Sequence, residues 1–309
     1  MAKVLNESGP DAGVAWHYGD PLREQRRLES GEATVDLSHR PVFTVAGPDR
    51  LTWLHALTSQ AFEGVQPGEH VTAFVLDPNG RIEHVFEGVD DGETFWAHTE
   101  PGHLESLLAW LSRMVFASRV ELADRSDSHA VALVGGTPTV VARDELEATL
   151  GEVRAGTWAA EAVRIAAGRP RIFLDTDEKA IPNEVAMPVG DRLGAAVHLQ
   201  KGCYRGQETV ARVHTLGRPP RRLTLLQLDG SAERLPEVGA DVLLGDRVVG
   251  RMGTSEIHHE LGPIGLALIK RNTPTDEVLS VEGIVAAQEV VVDPEVGLHV
   301  RPNLGGRPR

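Results

Sequence analysis

The sequence predicts an α+β protein, with a body of antiparallel sheet and helices followed by a small C-terminal β-barrel. Three observations carry this. Between Val35 and Leu174 short β-rich runs alternate with amphipathic helical stretches, the pattern of an antiparallel sheet with helices on one face. From Arg222 onward short apolar runs broken by turns take over, for about 85 residues, which is a domain-sized stretch. Between the two, Pro219-Pro220 reads as a linker.

The elements follow in order. The first 34 residues are polar and Gly-rich, with a short helix over Leu22 to Leu28, and compact structure is expected from about Val35. Val42-Phe43-Thr44-Val45 is a strand ending at Gly47-Pro48-Asp49, after which Leu51, Leu54 and Leu57 recur at helical spacing. Val71 to Leu76 and Ile82 to Val89 flank Asp77-Pro78-Asn79-Gly80, whose Asn-Gly pair signals a hairpin. Thr94 to Ala97 is a further strand. Leu104, Leu107, Leu108, Leu111 and Val115 line one side of a helix expected over 101–117, capped by Thr99. Strands are expected at Val120 to Leu122, Ala130 to Val134, Thr139 to Val141 and Ala162 to Ala166, with a helix over Asp144 to Leu150. The barrel strands are Leu223 to Leu228, Val242 to Leu244, Val248-Val249, Ile264 to Ile269, Val278 to Val281 and Ile284 to Val292. Leu244-Gly245-Asp246-Arg247 fits a two-residue hairpin with Gly first. The domains read as a polar segment at 1–34, an α+β body of two subdomains at 35–217, the barrel at 218–300 and a disordered Gly/Pro/Arg-rich tail at 301–309.

Composition narrows the function. A single cysteine among 309 residues excludes an internal disulfide framework and fits a reducing cytoplasm. It also excludes an all-cysteine iron–sulfur or structural zinc site built by one chain, because such sites need several thiolates. No run of apolar residues reaches the length of a membrane span and no signal-peptide pattern opens the chain, so neither a membrane nor secretion is expected. A net charge of −14 argues against direct contact with nucleic acid, and 5% aromatic residues leave little for stacking bases. The thirteen histidines, His258-His259-Glu260 included, show no compact ligand pattern. Adjacent histidines on a strand point to opposite faces, so no metal site is expected. No dinucleotide-binding glycine frame and no nucleophile elbow are present.

The most informative segment is Lys201-Gly202-Cys203-Tyr204-Arg205-Gly206-Gln207-Glu208. Lys201 and Arg205 flank the only cysteine, and neighbouring cations favour thiolate over thiol. Gly202 and Gly206 permit a sharply shaped loop running into a helix from about Gln207. Lys201, Arg205, Arg212, Arg218, Arg221 and Arg222 are opposed within 201–222 only by Glu208. A basic island in an acidic chain suits a small anion; the alternatives are a solvated charge run and a buried structural cysteine.

This octapeptide, in this order of elements, resembles the YgfZ branch of the glycine-cleavage T-protein superfamily, folate-binding proteins linked to iron–sulfur enzyme maintenance. Gly168-Arg169-Pro170, Ile181-Pro182-Asn183-Glu184, Thr209-Val210-Ala211-Arg212 and Arg221-Arg222-Leu223 extend the likeness over nearly the whole chain. The flanking pieces are shared with the aminomethyltransferases. The resemblance implies a folate-binding body around a central channel and tetrahydrofolate, or a derivative, as the ligand. It implies that Glu184 grips the pterin by accepting two hydrogen bonds. Arg221 or Arg222 would lie near the folate tail, with Lys201, Tyr204, Arg205 and Gln207 beside the ligand and Cys203 as a reactive thiol on a mobile loop.

One departure bears on activity. Aminomethyltransferases carry an orienting aspartate after the turn glycine, whereas this chain reads Gly80-Arg81-Ile82-Glu83-His84-Val85-Phe86. Glu83, offset by one residue on a strand, would face the other way. The function implied is a cytoplasmic folate-binding accessory protein for assembly or repair of iron–sulfur proteins, with those proteins or their assembly factors as partners. The alternatives are a folate-dependent one-carbon transferase or demethylase acting on a small amine, and an indirect tRNA-modification factor.

Overall fold

The structure is a computed structural model that describes residues 3–190 and 195–298. Six α-helices lie among the described residues: α1 Pro21–Glu29, α2 Arg50–Leu57, α3 Leu104–Arg113, α4 Leu146–Leu150, α5 Thr157–Ala166 and α6 Gln207–Leu216. The strands His70–Leu76, Ile82–Asp90, Thr94–His98, Val42–Ala46 and Glu121–Asp124 form one antiparallel sheet in that spatial order. Its apolar face, with Phe43, Val75, Phe86 and Phe95, packs against Leu54 of α2 and Leu107 and Leu111 of α3. The phenyl rings of Phe43, Phe62, Phe86 and Phe95 meet in edge-on and offset pairs, so aromatic packing adds to the area buried there.

A second sheet runs Thr137–Ala142, His129–Val134, Thr34–Asp36 and Arg154–Ala155, the last pair being parallel. Leu28 of α1 and Ala159 of α5 close over it. The six strands Arg221–Leu228, Gly262–Lys270, Arg247–His258, Asp241–Leu244, Leu279–Val281 and Ile284–Val290 close into a barrel, joined throughout by antiparallel pairs. The expected Leu244–Arg247 hairpin is formed there. Helix α5 touches both the second sheet and the barrel, and so ties body to barrel.

The hairpin at Asn79-Gly80 forms for a visible reason. The Asp77 carboxylate accepts the N–H groups of Asn79 and Arg81, and Gly80 takes a φ of 81°. Just beyond it, the ladder between Val75 and Leu76 is bulged, pairing Leu76 with Ile82 and Val75 with His84, which leaves Glu83 as the extra residue.

Three expectations need correction. Ala162 to Ala166 belongs to a helix, because Ala159, Ala162 and Ile165 are buried at helical spacing, while the β-branched Val163 and Ile165, two residues apart, imitate a strand. Thr99 does not cap α3; its hydroxyl donates to the Val85 carbonyl at 2.6 Å, and the helix starts later, after His103. Compact structure also begins before Val35: Glu24 and Gln25 are buried, and the Glu24 carboxylate accepts from the N–H groups of Tyr18 and Gly156. The 301–309 tail lies outside the described residues.

Candidate functional site

The octapeptide is a mounted loop. The Lys201 ammonium turns inward and donates to the carbonyls of His55 and Thr58 at the end of α2, 4.9 Å from the centroid of the Tyr204 ring. His55 Nε2 in return contacts the Lys201 carbonyl oxygen at 2.8 Å. Burial pulls the Lys201 ammonium down to about 8 and pushes the Tyr204 phenol up to about 12. Tyr204 packs among Phe74, Ile82, Val85 and Val210, and its N–H donates to Gln207 Oε1 at 3.0 Å. Arg205 pairs with Glu83 at 2.7 Å. Gly206, at φ 82°, lies so close to the hairpin that a Cβ would sit 2.5 Å from the Asp77 carbonyl oxygen. Cys203 is exposed and free, whereas the Arg205 side chain, also exposed, is held by its ion pair. Both cations that flank it in sequence are thus engaged elsewhere.

The predicted pterin contact is placed differently. Glu184 is 1% exposed and both its oxygens are occupied: they accept from Arg221 Nε at 2.9 Å, from Arg221 Nη2 at 2.8 Å and from the Ile181 N–H at 3.2 Å. Arg221 also reaches Asp177 at 2.7 Å. Arg222 points into the barrel, fully buried, where it donates to Thr224 Oγ1, to the Thr273 carbonyl and to Gln288 Oε1. Arg221 is therefore the neighbour of Glu184. Neither arginine, and not Glu184, lines the large cavity described next.

That cavity, of about 650 Å³, lies between α1, α5, the strand Ile82–Asp90 and the turn at Gly135-Gly136. Its walls hold a charge network that sequence reading missed. Arg171, buried, reaches Asp11 at 3.0 Å, Glu100 at 2.6 Å and Glu161 at 3.2 Å. Arg164 joins Glu161 to the buried Asp175 at 2.7 and 2.9 Å. Against the upward push of burial, Arg40 and Arg171 hold Glu100 down at about 2. Asp11 is likewise held well below the usual carboxylate range, by His39 and Arg171 against burial.

Glu87 stands apart in this cavity. Among the described residues its carboxyl has no hydrogen bond and no ion pair, although Asp11, Glu29, Glu100 and Glu161 around it are all paired. Its cross-strand neighbours are Thr72 and His98, and His98 Nε2 is buried without a partner. Burial raises the Glu87 carboxyl pKa and lowers that of His98 to about 3. Glu87 is two residues beyond the buried Val85 and so shares its face of the strand, which the adjacent apolar Val85 and Phe86 leave unmarked in the sequence. A second, more open cleft of about 660 Å³, lined by Glu83, His84, Trp110 and Phe173, adjoins the Cys203 loop through the Glu83–Arg205 pair.

The adjacent histidines need a correction too. His258 ends its strand and His259 lies in the following turn, and both rings converge on Glu29, at 3.2 and 2.6 Å. The set has the composition of a metal site but the wrong proton. His258 Nδ1 accepts the N–H groups of Glu260 and Leu261, which keeps the ring proton on the Nε2 that faces Glu29. The cluster reads as a clasp between α1 and the barrel.

No family model matches the chain. A chloroplastic protein of Arabidopsis thaliana named as a transferase is 25% identical over 84% of this chain and 70% of its own length. A mitochondrial homolog of iron–sulfur cluster assembly factor IBA57 from Mycosarcoma maydis is 28% identical over 61% of this chain and 55% of its own length. The tRNA-modifying protein YgfZ of Escherichia coli is 42% identical over 27% of this chain and 24% of its own length. The chain thus spans about half of that assembly factor and a quarter of that tRNA-modifying protein. In three dimensions the glycine cleavage system aminomethyltransferase T of Bartonella henselae superposes with a TM-score of 0.74, covering 96% of this chain and 95% of its own at 13% identity, which establishes the fold. In sequence the chain is similar to these YgfZ-type and IBA57-type proteins, and in three dimensions it has the T-protein fold.

Proposed function

We propose that the protein binds a reduced folate, tetrahydrofolate or a derivative, in the 650 Å³ cavity and supports assembly or repair of iron–sulfur proteins through Cys203. The observation that carries the second half is the mounting of the loop. Lys201, Tyr204, Arg205, Gly206 and Gln207 are each used to seat the backbone, and the one group left free is a thiol. One thiol supplies one ligand, whereas an iron–sulfur cluster needs several. The remaining ligands therefore come from a partner, which suits an accessory protein handing on or repairing a cluster as cargo. The relatives named for cluster assembly and tRNA modification support the same reading, the second through tRNA-modifying enzymes that contain clusters.

The folate half rests on fit. The cavity falls within the range of about 300–1,000 Å³ usual for small-molecule sites, and its walls combine apolar Leu37, Val85 and Ile172 with charged groups at fixed positions. The cavity is walled by the body proposed at 35–217 together with Asp11, Leu28, Glu29 and Gly31 of the segment before it. A lone exposed thiol suits a reducing compartment, the cytoplasm being the one proposed, although related proteins are mitochondrial and chloroplastic. No helix among the described residues is long and apolar enough to cross a membrane.

The test pairs a titration with a cell assay. Wild-type protein is expected to bind tetrahydrofolate and to restore iron–sulfur enzyme activity in cells lacking it, while Cys203→Ser binds folate equally well and fails to restore. Full restoration by Cys203→Ser would remove the thiol from the function. A second reading, one-carbon transfer from a small amine, draws on the free Glu87 carboxyl; turnover of sarcosine or dimethylglycine with tetrahydrofolate would establish it in place of the first.

A further inference from the structure

We infer that Glu87 is the group with which the cavity recognises its ligand, accepting two hydrogen bonds from a pair of adjacent N–H donors on a planar heterocycle. This rests on the folate reading and names the side chain that would meet the pterin's 2-amino and ring N–H edge. Three observations lead to it. Glu87 is the unpaired member of the five carboxylates around the cavity, whereas its neighbours are fixed by Arg171, Arg40, Arg164, His39, His258 and His259. It projects from the middle of a paired strand, between Thr72 and His98, so its backbone is held on both sides and little has to be ordered when a ligand arrives. Directly beside it, the buried His98 Nε2 also lacks a partner.

The buried, unpartnered His98 Nε2 costs free energy where it stands, and the half-buried Glu87 carboxyl beside it opens onto the cavity, where a ligand can reach it. A carboxylate is the natural complement of two parallel N–H donors, as in its bidentate pairing with arginine. Glu184 already makes that pairing with Arg221, so the same chemistry at Glu184 would require an ion pair to break first. Glu87 needs no such exchange. The charged and titratable groups facing it are Arg40, His70, Glu100 and Arg169, together with His98.

The experiment is a calorimetric titration of the full chain with tetrahydrofolate, for wild type, Glu87→Gln and Glu184→Gln. The expected result is affinity about tenfold to a hundredfold weaker in Glu87→Gln, the loss of a charge-assisted contact, and about unchanged in the folded Glu184→Gln protein. Because Glu87 has no partner to lose, its variant is expected to stay folded; Glu87→Leu makes the same comparison should the amide disturb the cavity. Wild-type affinity in Glu87→Gln would overturn the assignment while leaving the folate reading intact. If wild type itself does not bind tetrahydrofolate, that reading falls. Titration with 2-amino-4-hydroxypyrimidine, the bare donor edge, then decides for Glu87: binding lost in Glu87→Gln sustains the assignment, and no binding ends it.

Discussion

Two glycines of one octapeptide should respond very differently to the same substitution. Gly202 and Gly206 both have left-handed backbone, at φ 91° and 82°. Forcing alanine into such a conformation costs about 1–2 kcal/mol, offset by about 0.4–1 kcal/mol of lost freedom in the unfolded chain. For Gly202→Ala the balance ends there, at about 0.5–1.5 kcal/mol, because nothing lies within 4 Å of the added methyl. For Gly206→Ala the methyl meets the Asp77 carbonyl oxygen at 2.5 Å and the Gly80 Cα at 2.9 Å. Both are backbone atoms of a tight hairpin and neither can rotate away, so an overpacking cost of about 1–3 kcal/mol is added. The total is about 2–4 kcal/mol. Urea denaturation of the two variants measures the difference, and the native rate of Cys203 labelling by iodoacetamide reports whether the loop has left its seat. Gly206→Ala should be clearly the less stable and should label at an altered rate. Equal stability losses, with the wild-type labelling rate in both, would refute the tight seating of the loop on the hairpin.

Other expected outcomes follow from the same geometry. Arg171→Met leaves three buried or half-buried carboxylates without their shared cation and should cost about 3–5 kcal/mol in urea denaturation. In wild type the depressed Glu100 and Asp11 pKa values stabilise the fold at pH values above the ordinary carboxylate range; that stability is lost as pH falls toward about 2, and Arg171→Met should flatten this acid limb. Lys201 runs the opposite way. Between about 8 and its ordinary 10.5 the unfolded chain holds a proton that the folded chain has released, so wild-type stability should gain from this group as pH rises through that window, and Lys201→Met should lack the gain. Cys203→Ser, at an exposed position, should change stability by less than about 0.5 kcal/mol; a larger loss would return the residue to a structural role.

Much of the fold was legible because its signals are local. The Asn79-Gly80 hairpin, the leucine spacing of α3 and the Gly245-Asp246 turn each depend on residues within a few positions of one another. Helix α5 was misread because five residues of Ala162 to Ala166 fit a strand as well as a helix, and only its packing between sheet and barrel decides. The candidate site was legible in one part. The octapeptide announced a shaped loop with an exposed thiol, but the direction of Lys201, inward onto the end of α2, depends on carbonyls more than 140 residues away. The same distance hid the cavity. Asp11, Glu100, Glu161 and Arg171 meet only when the N-terminal segment, the sheet and α5 are assembled, and nothing in their sequence neighbourhoods marks them as partners.

Hydrogen exchange of the wild-type chain, followed by mass spectrometry with and without saturating tetrahydrofolate, tests the central claim most directly, because it reports where the ligand sits as well as whether it binds. Folate in the cavity should slow exchange in the segments that form its walls, residues 28–40, 82–100 and 157–172, and leave the barrel strands near residues 241–258 unchanged. Protection confined to residues 104–113 and 173–178, which border the open cleft, or no protection anywhere, would contradict it.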